Sequence, residues 1–306
     1  MSHPDRPLML KNLNKVERLA KASKIVRLMN GPGRYFTAQG HKWLVYRYTK
    51  KGMLTSARTF FGIPLQIVLP SATDIYLTGS KTHPSEIRLA RYMVNHLQDG
   101  ERYLDVGAHF GFFTSLAACL VGSVGGVLAI EASPETFKLL KKNTTDRKQV
   151  KALNIAITNR HEEVTFHEFP VLLSEYNSLI GKQYEKETWY STNKPKLVKV
   201  QGYDLNRLLE EEQFHPTLIK IDVEGAEDKV IQGGLAYFKQ HRPVIVMEYL
   251  ADRNKNTGHQ KAVDMLKELG YSVNVFNPLG EPEPCDNILA HLEQTGWESD
   301  NVVLIG

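Results

Sequence analysis

Cysteine is scarce: Cys119 and Cys285 are the whole complement of this 306-residue chain. They form no CxxC pair, which argues against a disulfide framework or a thiolate zinc site and fits a reducing, cytoplasmic setting. No apolar h-region follows the opening Met1-Ser2-His3-Pro4-Asp5, so no secretory signal is expected. One uncharged run, Phe110 to Ile130, has the length of a bilayer span. Gly111, Gly122, Gly125 and Gly126 interrupt it, so it reads instead as core helix, turn and buried strand. Internal repeats and low-complexity tracts are also missing.

Acidic residues are lacking at one end. Residues 1–60 hold 13 Lys/Arg against 2 Asp/Glu, whereas the remainder holds 25 basic and 32 acidic residues. The net charge of +4 therefore hides a basic arm on an acidic body. Such an arm suits an anionic partner, which could be a membrane surface met peripherally, a phosphorylated carrier or nucleic acid; the plain alternative is a solvated helix face. Nothing points to sequence-specific nucleic-acid recognition.

What is present becomes regular after residue 83. Residues 8–29 carry apolar positions at helical spacing and stop at Asn30-Gly31-Pro32-Gly33. Residues 42–48 and 64–77 read as short strands. Beyond them the pattern predicts helices over 84–97, 112–121, 134–143, 205–211, 226–233 and 259–269. It predicts strands over 103–106, 126–130, 151–156, 217–222, 243–248, 272–276 and 302–305. Strands separated by helices imply βαβ units, an α/β fold with a mostly parallel sheet and helices on both faces. The expected division is a basic helical and β extension over 1–80 and one domain over 81–306, with an irregular insertion at 170–200.

Ligands of such sheets bind at the carboxyl ends of the strands. Asp105, Gly107, Glu131, Asn154, Asp222 and Glu248 fall there, and His215 falls at the opposite edge. The stretch Asp105-Val106-Gly107-Ala108-His109-Phe110-Gly111 runs from strand through glycine turn into helix. Gly107 permits a tight turn, the helix N-terminus offers N–H groups to a carboxylate, and Asp105 suits an ammonium. A ligand bearing both groups is an amino acid. The G-x-x-x-G spacing behind an acid lacks the G-x-G-x-x-G of dinucleotide sites, which favours S-adenosylmethionine (SAM) over a nicotinamide. Glu131, followed by Ala132, can accept ribose hydroxyls, and Asn154-Ile155-Ala156 suits an adenine edge and face, or is simply a capped strand end. In Ile219-Lys220-Ile221-Asp222-Val223-Glu224-Gly225-Ala226-Glu227, three carboxylates cluster at a strand end. The (Asp/Asn)-Pro-Pro-aromatic signature of DNA-base amino-methylation does not occur there.

These motifs in order, above all Ile219 to Glu227, resemble the FkbM family of SAM-dependent methyltransferases, over roughly residues 84–250. His109 stands where the family's first motif usually has Asn. The resemblance implies a Rossmann-like class I methyltransferase fold with a seven-stranded, mostly parallel sheet. It implies SAM as cofactor and a hydroxyl acceptor on a sugar, glycolipid or natural product. Methylation of an alcohol needs a group to take its proton. Asp222 is the first choice for this base and Glu224 the second; Glu248 could serve beside them by binding a substrate hydroxyl. The same acids could instead hold Mg²⁺. Asn177 and Ser178 of the insertion, with Glu86, Glu224, Glu227 and Tyr249, are the expected acceptor contacts, and His83 could close the site. The aromatics of the insertion, such as Trp189, suit a sugar ring. The alternatives are a nicotinamide-dependent oxidoreductase and a non-catalytic SAM-fold binding module.

Overall fold

The structure, a computed structural model, describes residues 4–180, 184–252 and 256–306. Its N-terminal part runs α1 (Arg6–Lys21), α2 (Lys24–Asn30), α3 (Pro32–Gly40), a π-helical turn (His41–Tyr46) and α4 (Arg47–Thr49). There follow β1 (Met53–Arg58), β2 (Pro64–Leu69) and α5 (Thr73–Thr78). Three expectations change here. The single helix over 8–29 is broken at Ala22-Ser23, because the Ser23 hydroxyl caps a new helix. The strand expected over 42–48 is helical. A short apolar run reads alike as strand or helix, and among the described residues no strand pairs with this one; Tyr46 turns inward and its phenol oxygen accepts the Leu172 N–H at 3.2 Å. The strand expected over 64–77 stops at Leu69, since Pro70 has no N–H for a ladder.

The central sheet is built from strands that are apolar on both faces, as parallel strands under two helical layers must be. In chain order the elements are α6 (Pro84–His96), β3 (Arg102–Val106), α7 (Phe112–Leu120), β4 (Gly126–Ile130), α8 (Pro134–Thr144) and β5 (Val150–Leu153). A small sheet follows: β6 (Ala156–Thr158), β7 (Glu162–Glu168) and β8 (Lys196–Asp204), in the order β6-β8-β7. The reading of 151–156 as one strand fails because the chain leaves the main sheet after Leu153 to join this one. The rest is α9 (Leu205–Glu211), β9 (Leu218–Ile221), α10 (Glu227–His241), β10 (Val244–Leu250), α11 (Thr257–Glu268), β11 (Ser272–Phe276), β12 (Pro282–Pro284), α12 (Ile288–Thr295) and β13 (Ser299–Ile305).

The main sheet has the order β12-β11-β13-β10-β9-β3-β4-β5. Its pairs from β10 to β5 are parallel, and the β10-β13, β13-β11 and β11-β12 pairs are antiparallel, so β11 runs in the same direction as the parallel strands. Short β12 makes eight strands where seven were expected. The first strand of the sheet, β3, lies between β4 and β9, so the strand order reverses there and opens a crevice at the carboxyl ends. Side chains of β3 alternate between two cores. Tyr103 packs with α6 and α7 residues such as Met93 and Leu116, and Leu104 and Val106 pack with α10 residues such as Val230. Helix α1 joins the first of these cores through Met9, Leu13 and Val16. Arg91 of α6 ties it down, with one guanidinium nitrogen 2.7 Å from Glu17 and another 2.6 Å from Asn14. No helix among the described residues is long and apolar enough to cross a membrane.

Candidate active site

A cavity of about 1120 Å³ opens over the carboxyl ends of β3, β4, β9 and β10. That exceeds what one cofactor needs and leaves room for an acceptor. Asp105 stands in its floor, almost wholly buried. One carboxylate oxygen accepts the Thr114 hydroxyl at 2.5 Å, and the other has no hydrogen-bond partner among the described residues. Burial raises its pKa, while the Lys220 ammonium pulls it back down. A buried carboxylate oxygen left without a donor is a site for a ligand's donor.

The turn after Asp105 is held by its own backbone. The Gly107 and Ala108 N–H groups both donate to the Ile130 carbonyl at 2.9 Å, so neither is free for a ligand. Gly107 is required for a reason beyond ligand approach. Its φ is +84°, and a Cβ there would stand 1.8 Å from the Asp222 carbonyl oxygen. The turn is thus pressed against the acidic loop after β9. Glu131, at the end of β4, accepts the His109 N–H at 2.8 Å and the Ser133 N–H at 2.9 Å. Each oxygen keeps a lone pair for a hydroxyl. Burial pushes its carboxyl up to about 7. His109 has φ +51° and its ring lies against Phe110, with Nε2 3.0 Å from the Ser174 hydroxyl. Burial and the nearby Lys81 push the imidazole down to about 3, so it is neutral.

The far wall is apolar: Ile155, Ala156, Ile157, Phe166 and Leu179, with Ala132 beside them. An orphaned carboxylate oxygen, a second carboxylate with free lone pairs and an apolar slot fit the amino-acid, ribose and adenine parts of SAM.

At the other end stand Asp222, Glu224 and Glu248. Their nearest carboxylate oxygens all lie within 4.8 Å of one another. Like charges so close cannot all ionise without help. Lys220 gives that help, with Nζ 2.8 Å from Asp222. Burial opposes ionisation of Asp222, yet Lys220 and Lys81 together hold its carboxyl below the usual range. The two glutamates go the other way. Burial and the neighbouring Glu248 and Asp222 charges raise Glu224 well above normal, even though the Tyr184 hydroxyl donates to it at 2.8 Å. Burial and Asp222 push Glu248 up to about 8.

The structure brings Asp105, Gly107, Ala108, His109, Glu131, Ala132, Ile155, Ala156, Asp222, Glu224 and Glu248 to one cavity, which Glu86, Asn177 and His83 also line. Five expected contacts do not line it. The Asn154 amide is spent on the carbonyls of Glu131 and Ala132, at 2.8 and 3.0 Å. Gly111 caps α7 with φ +82°, where a Cβ would meet Leu140. The Ser178 hydroxyl donates to the Glu224 carbonyl at 2.6 Å. Glu227 is fully buried and accepts the Val223 and Gly225 N–H groups, holding the acidic loop in shape. Tyr249 is fully buried and donates to Gln260.

Sequence reasoning missed two cations. Lys81 pairs with Glu86 at the cavity wall, and Lys220 is buried beneath Asp222. Lys220 carried a signal: a lysine inside the otherwise apolar strand Leu218–Ile221 must find a buried partner. Lys81 lies in a loop and carried none. The insertion supplies an aromatic cluster, with Trp189 stacked on Tyr176 at 5.3 Å and Tyr184 beside both. All three line the cavity, and Asn177 Nδ2 is buried there without a hydrogen-bond partner among the described residues. Residues 181–183 of the insertion lie outside the described residues.

The FkbM methyltransferase domain matches residues 105–273. A protein-L-isoaspartate O-methyltransferase of Caenorhabditis elegans is 42% identical over 52 residues, which are 17% of this chain and 23% of that protein. Among solved structures, an FkbM methyltransferase from Methylobacillus flagellatus is similar at 12% identity and TM-score 0.44, covering 97% of this chain and 59% of that one. A SAM-dependent O-methyltransferase from Thermotoga maritima is similar at 16% identity and TM-score 0.38, covering 82% and 77%. This chain therefore spans about a quarter and about three-fifths of the first two relatives. The family match sets aside the nicotinamide alternative. It runs from Asp105 through the acidic loop to β11, more than half of the chain, and this protein belongs to the FkbM family of SAM-dependent methyltransferases.

Proposed function

We propose that this enzyme moves the methyl group of SAM to a hydroxyl oxygen of a sugar, glycolipid or natural-product acceptor. The observation that carries the reading is the carboxyl cluster itself: oxygens of Asp222, Glu224 and Glu248 lie within 4.8 Å of one another with the Lys220 ammonium 2.8 Å from Asp222, an arrangement that holds Asp222 low and pushes Glu224 and Glu248 up. Carboxyls driven apart in this way mark out acid and base roles. Bound SAM supplies an electrophilic methyl group on a sulfonium sulfur. Asp105 and Glu131 would hold its amino-acid and ribose parts, and the apolar wall its adenine.

Asp222 accepts the acceptor's hydroxyl proton as the new C–O bond forms and the C–S bond breaks. Its lysine-paired oxygen is already occupied, so the free oxygen takes this role. The proton then passes from Asp222 to water in the open cavity. Glu248, pushed up to about 8, already carries a proton and can donate a hydrogen bond to a neighbouring hydroxyl. The aromatic faces of Tyr176, Tyr184 and Trp189, with the Asn177 Nδ2 donor that has no partner among the described residues, suit a ring that has apolar faces and a hydroxyl rim.

A second reading has the same three carboxylates holding Mg²⁺, since their spacing would admit a divalent cation. Lys220 and Lys81 already bring two positive charges to Asp222, so the base reading stands first. A chelator separates the two, because only a cation-dependent enzyme loses turnover. The main test is labelled SAM against a panel of glycans, glycolipids and polyketides. Label appears on oxygen, and Asp222→Asn slows kcat by about 10²–10⁴-fold. Label on nitrogen or carbon, or full turnover by Asp222→Asn, overturns the reading.

A further inference from the structure

No Asp or Glu occurs between Glu17 and Asp74, and ten Lys/Arg do. This interval holds α2, α3, the π-helical turn and α4, whose side chains are mostly exposed. Many of these are not polar. Met29, Leu44 and Tyr48 are each more than three-quarters exposed, and Ile25, Phe36 and Trp43 more than half. Lys24, Arg27, Arg34, Lys42, Arg47 and Lys50 are exposed among them. Arg47 sits 5.9 Å over the Trp43 ring. A folded domain gains nothing by holding this much apolar surface in water, so its concentration on one small unit marks a contact.

The charge selects the partner. A second copy of the chain packed on this face would set one cationic surface against another. Exposed Ile25, Met29 and Leu44 offer a polyanionic RNA nothing that its backbone or bases recognise. An anionic bilayer matches both features: headgroup charge meets the lysines and arginines, and the apolar side chains enter the acyl boundary. We propose that residues 24–50 dock this enzyme on an anionic membrane surface, lying on the bilayer rather than spanning it.

The same helices border the catalytic cavity. Lys24, Arg27, Tyr35 and Gln39 line it together with Leu19 and Ala20 of α1. Docking would place that rim at the headgroup layer, within reach of an acceptor carried on a lipid. This last step rests on the O-methylation reading, whereas the docking does not.

Flotation of the full chain with vesicles, in the absence of SAM and acceptor, tests the docking by itself. The chain rises with phosphatidylcholine vesicles that contain phosphatidylglycerol, and stays behind with phosphatidylcholine alone. Added salt weakens the association. Lys42→Ala and Arg47→Ala each lower the partition coefficient on the order of fivefold. Trp43→Ser/Leu44→Ser also lowers it, with SAM affinity by calorimetry unchanged, so misfolding is not the cause. Failure to float with anionic vesicles, equal flotation of all variants, or a concentration-dependent dimer or RNA complex formed without vesicle binding each overturns the proposal. A chain that floats yet labels no hydroxyl acceptor keeps the docking and loses only the acceptor reading.

Discussion

Replacing Lys220 by Met should damage both the fold and the pH profile. The ammonium lies 2.8 Å from Asp222; the lysine is almost wholly buried, while the carboxylate, 26% exposed, faces the cavity. At an effective dielectric of about 20, that separation corresponds to about 6 kcal/mol of attraction before desolvation is charged against it. Removing one partner of a buried pair costs about 3–5 kcal/mol, because the other charge stays behind. Lys81 still faces Asp222, so the lower end applies. About 3 kcal/mol corresponds to about two pH units in the carboxyl's titration. The sign is fixed. Asp222 is held low in the native protein, so its stabilisation exists above its unfolded value and is lost as pH falls through its native one. Without Lys220 that loss begins at higher pH, and the acidic limb of the kcat profile climbs by about two units. Lys220→Met/Asp222→Asn, which leaves no bare charge, should recover most of the stability while remaining slow. Urea denaturation and single-turnover rates from pH 5 to 9 read both effects. If Lys220→Met unfolds at the wild-type urea concentration and keeps its acidic limb, the lysine does not set the state of Asp222.

The turn gives a second prediction. Gly107→Ala combines a left-handed backbone with a Cβ driven against the Asp222 carbonyl, and should destabilise by about 2–5 kcal/mol in urea titrations. A loss under half a kcal/mol would mean that the two loops are not in contact. Truncating Leu13, which is fully buried between α1 and the core around α6, should cost about 2–5 kcal/mol. A neutral Leu13→Ala would show that α1 is not part of the fold. Burial lifts Asp74 and Glu131 to about 7 and Glu248 to about 8. Carboxyls raised in the native state favour folding while protonated, so cofactor-free protein should lose stability as pH climbs from 5 to 8. SAM affinity should move the opposite way, tightening from pH 6 to 8 as Glu131 ionises, with Glu131→Gln flattening the trend in calorimetry. A dissociation constant constant over that range in the wild type rules Glu131 out as a ribose contact.

The parallel sheet was legible because its strands are short apolar runs between helices with clear starts. Pro134 after Ser133 is one such start, and the Ser133 hydroxyl does cap α8. The carboxyl-end rule then placed Asp105, Glu131, Asp222 and Glu248 together without any knowledge of contacts. The small sheet escaped because β7 and β8 are half-exposed and separated by the whole insertion, so no local turn announces their pairing. The basic arm escaped in another way. Its aromatic and β-branched run Trp43-Leu44-Val45-Tyr46 has the residue types of a strand, and among the described residues no strand pairs with it.

The five misplaced contacts share one physical cause. Asn154, Gly111, Ser178 and Tyr249 each adjoin a residue that does line the cavity, Glu227 lies three positions past one, and spacing alone cannot say which side of a turn faces the ligand. What decides is the demand of the backbone. The loop from Asp222 to Glu227 has Glu224 at φ +57° and Gly225 at φ +98°, a path that leaves N–H groups pointing inward. Glu227 takes two of them, and by doing so turns Glu224 out toward Glu248. Two carboxylates three residues apart thus divide the labour: one is consumed in shaping the loop so that the other can face the chemistry. Glu227→Gln tests this. The amide oxygen can still accept both N–H groups, so the loop and turnover should largely survive. Glu227→Ala removes the acceptor, and should lower kcat with little change in SAM affinity, since Asp105 and Glu131 stand on other strands. If Glu227→Gln loses as much turnover as Glu227→Ala, the carboxylate acts on the acceptor directly and the division of labour is wrong.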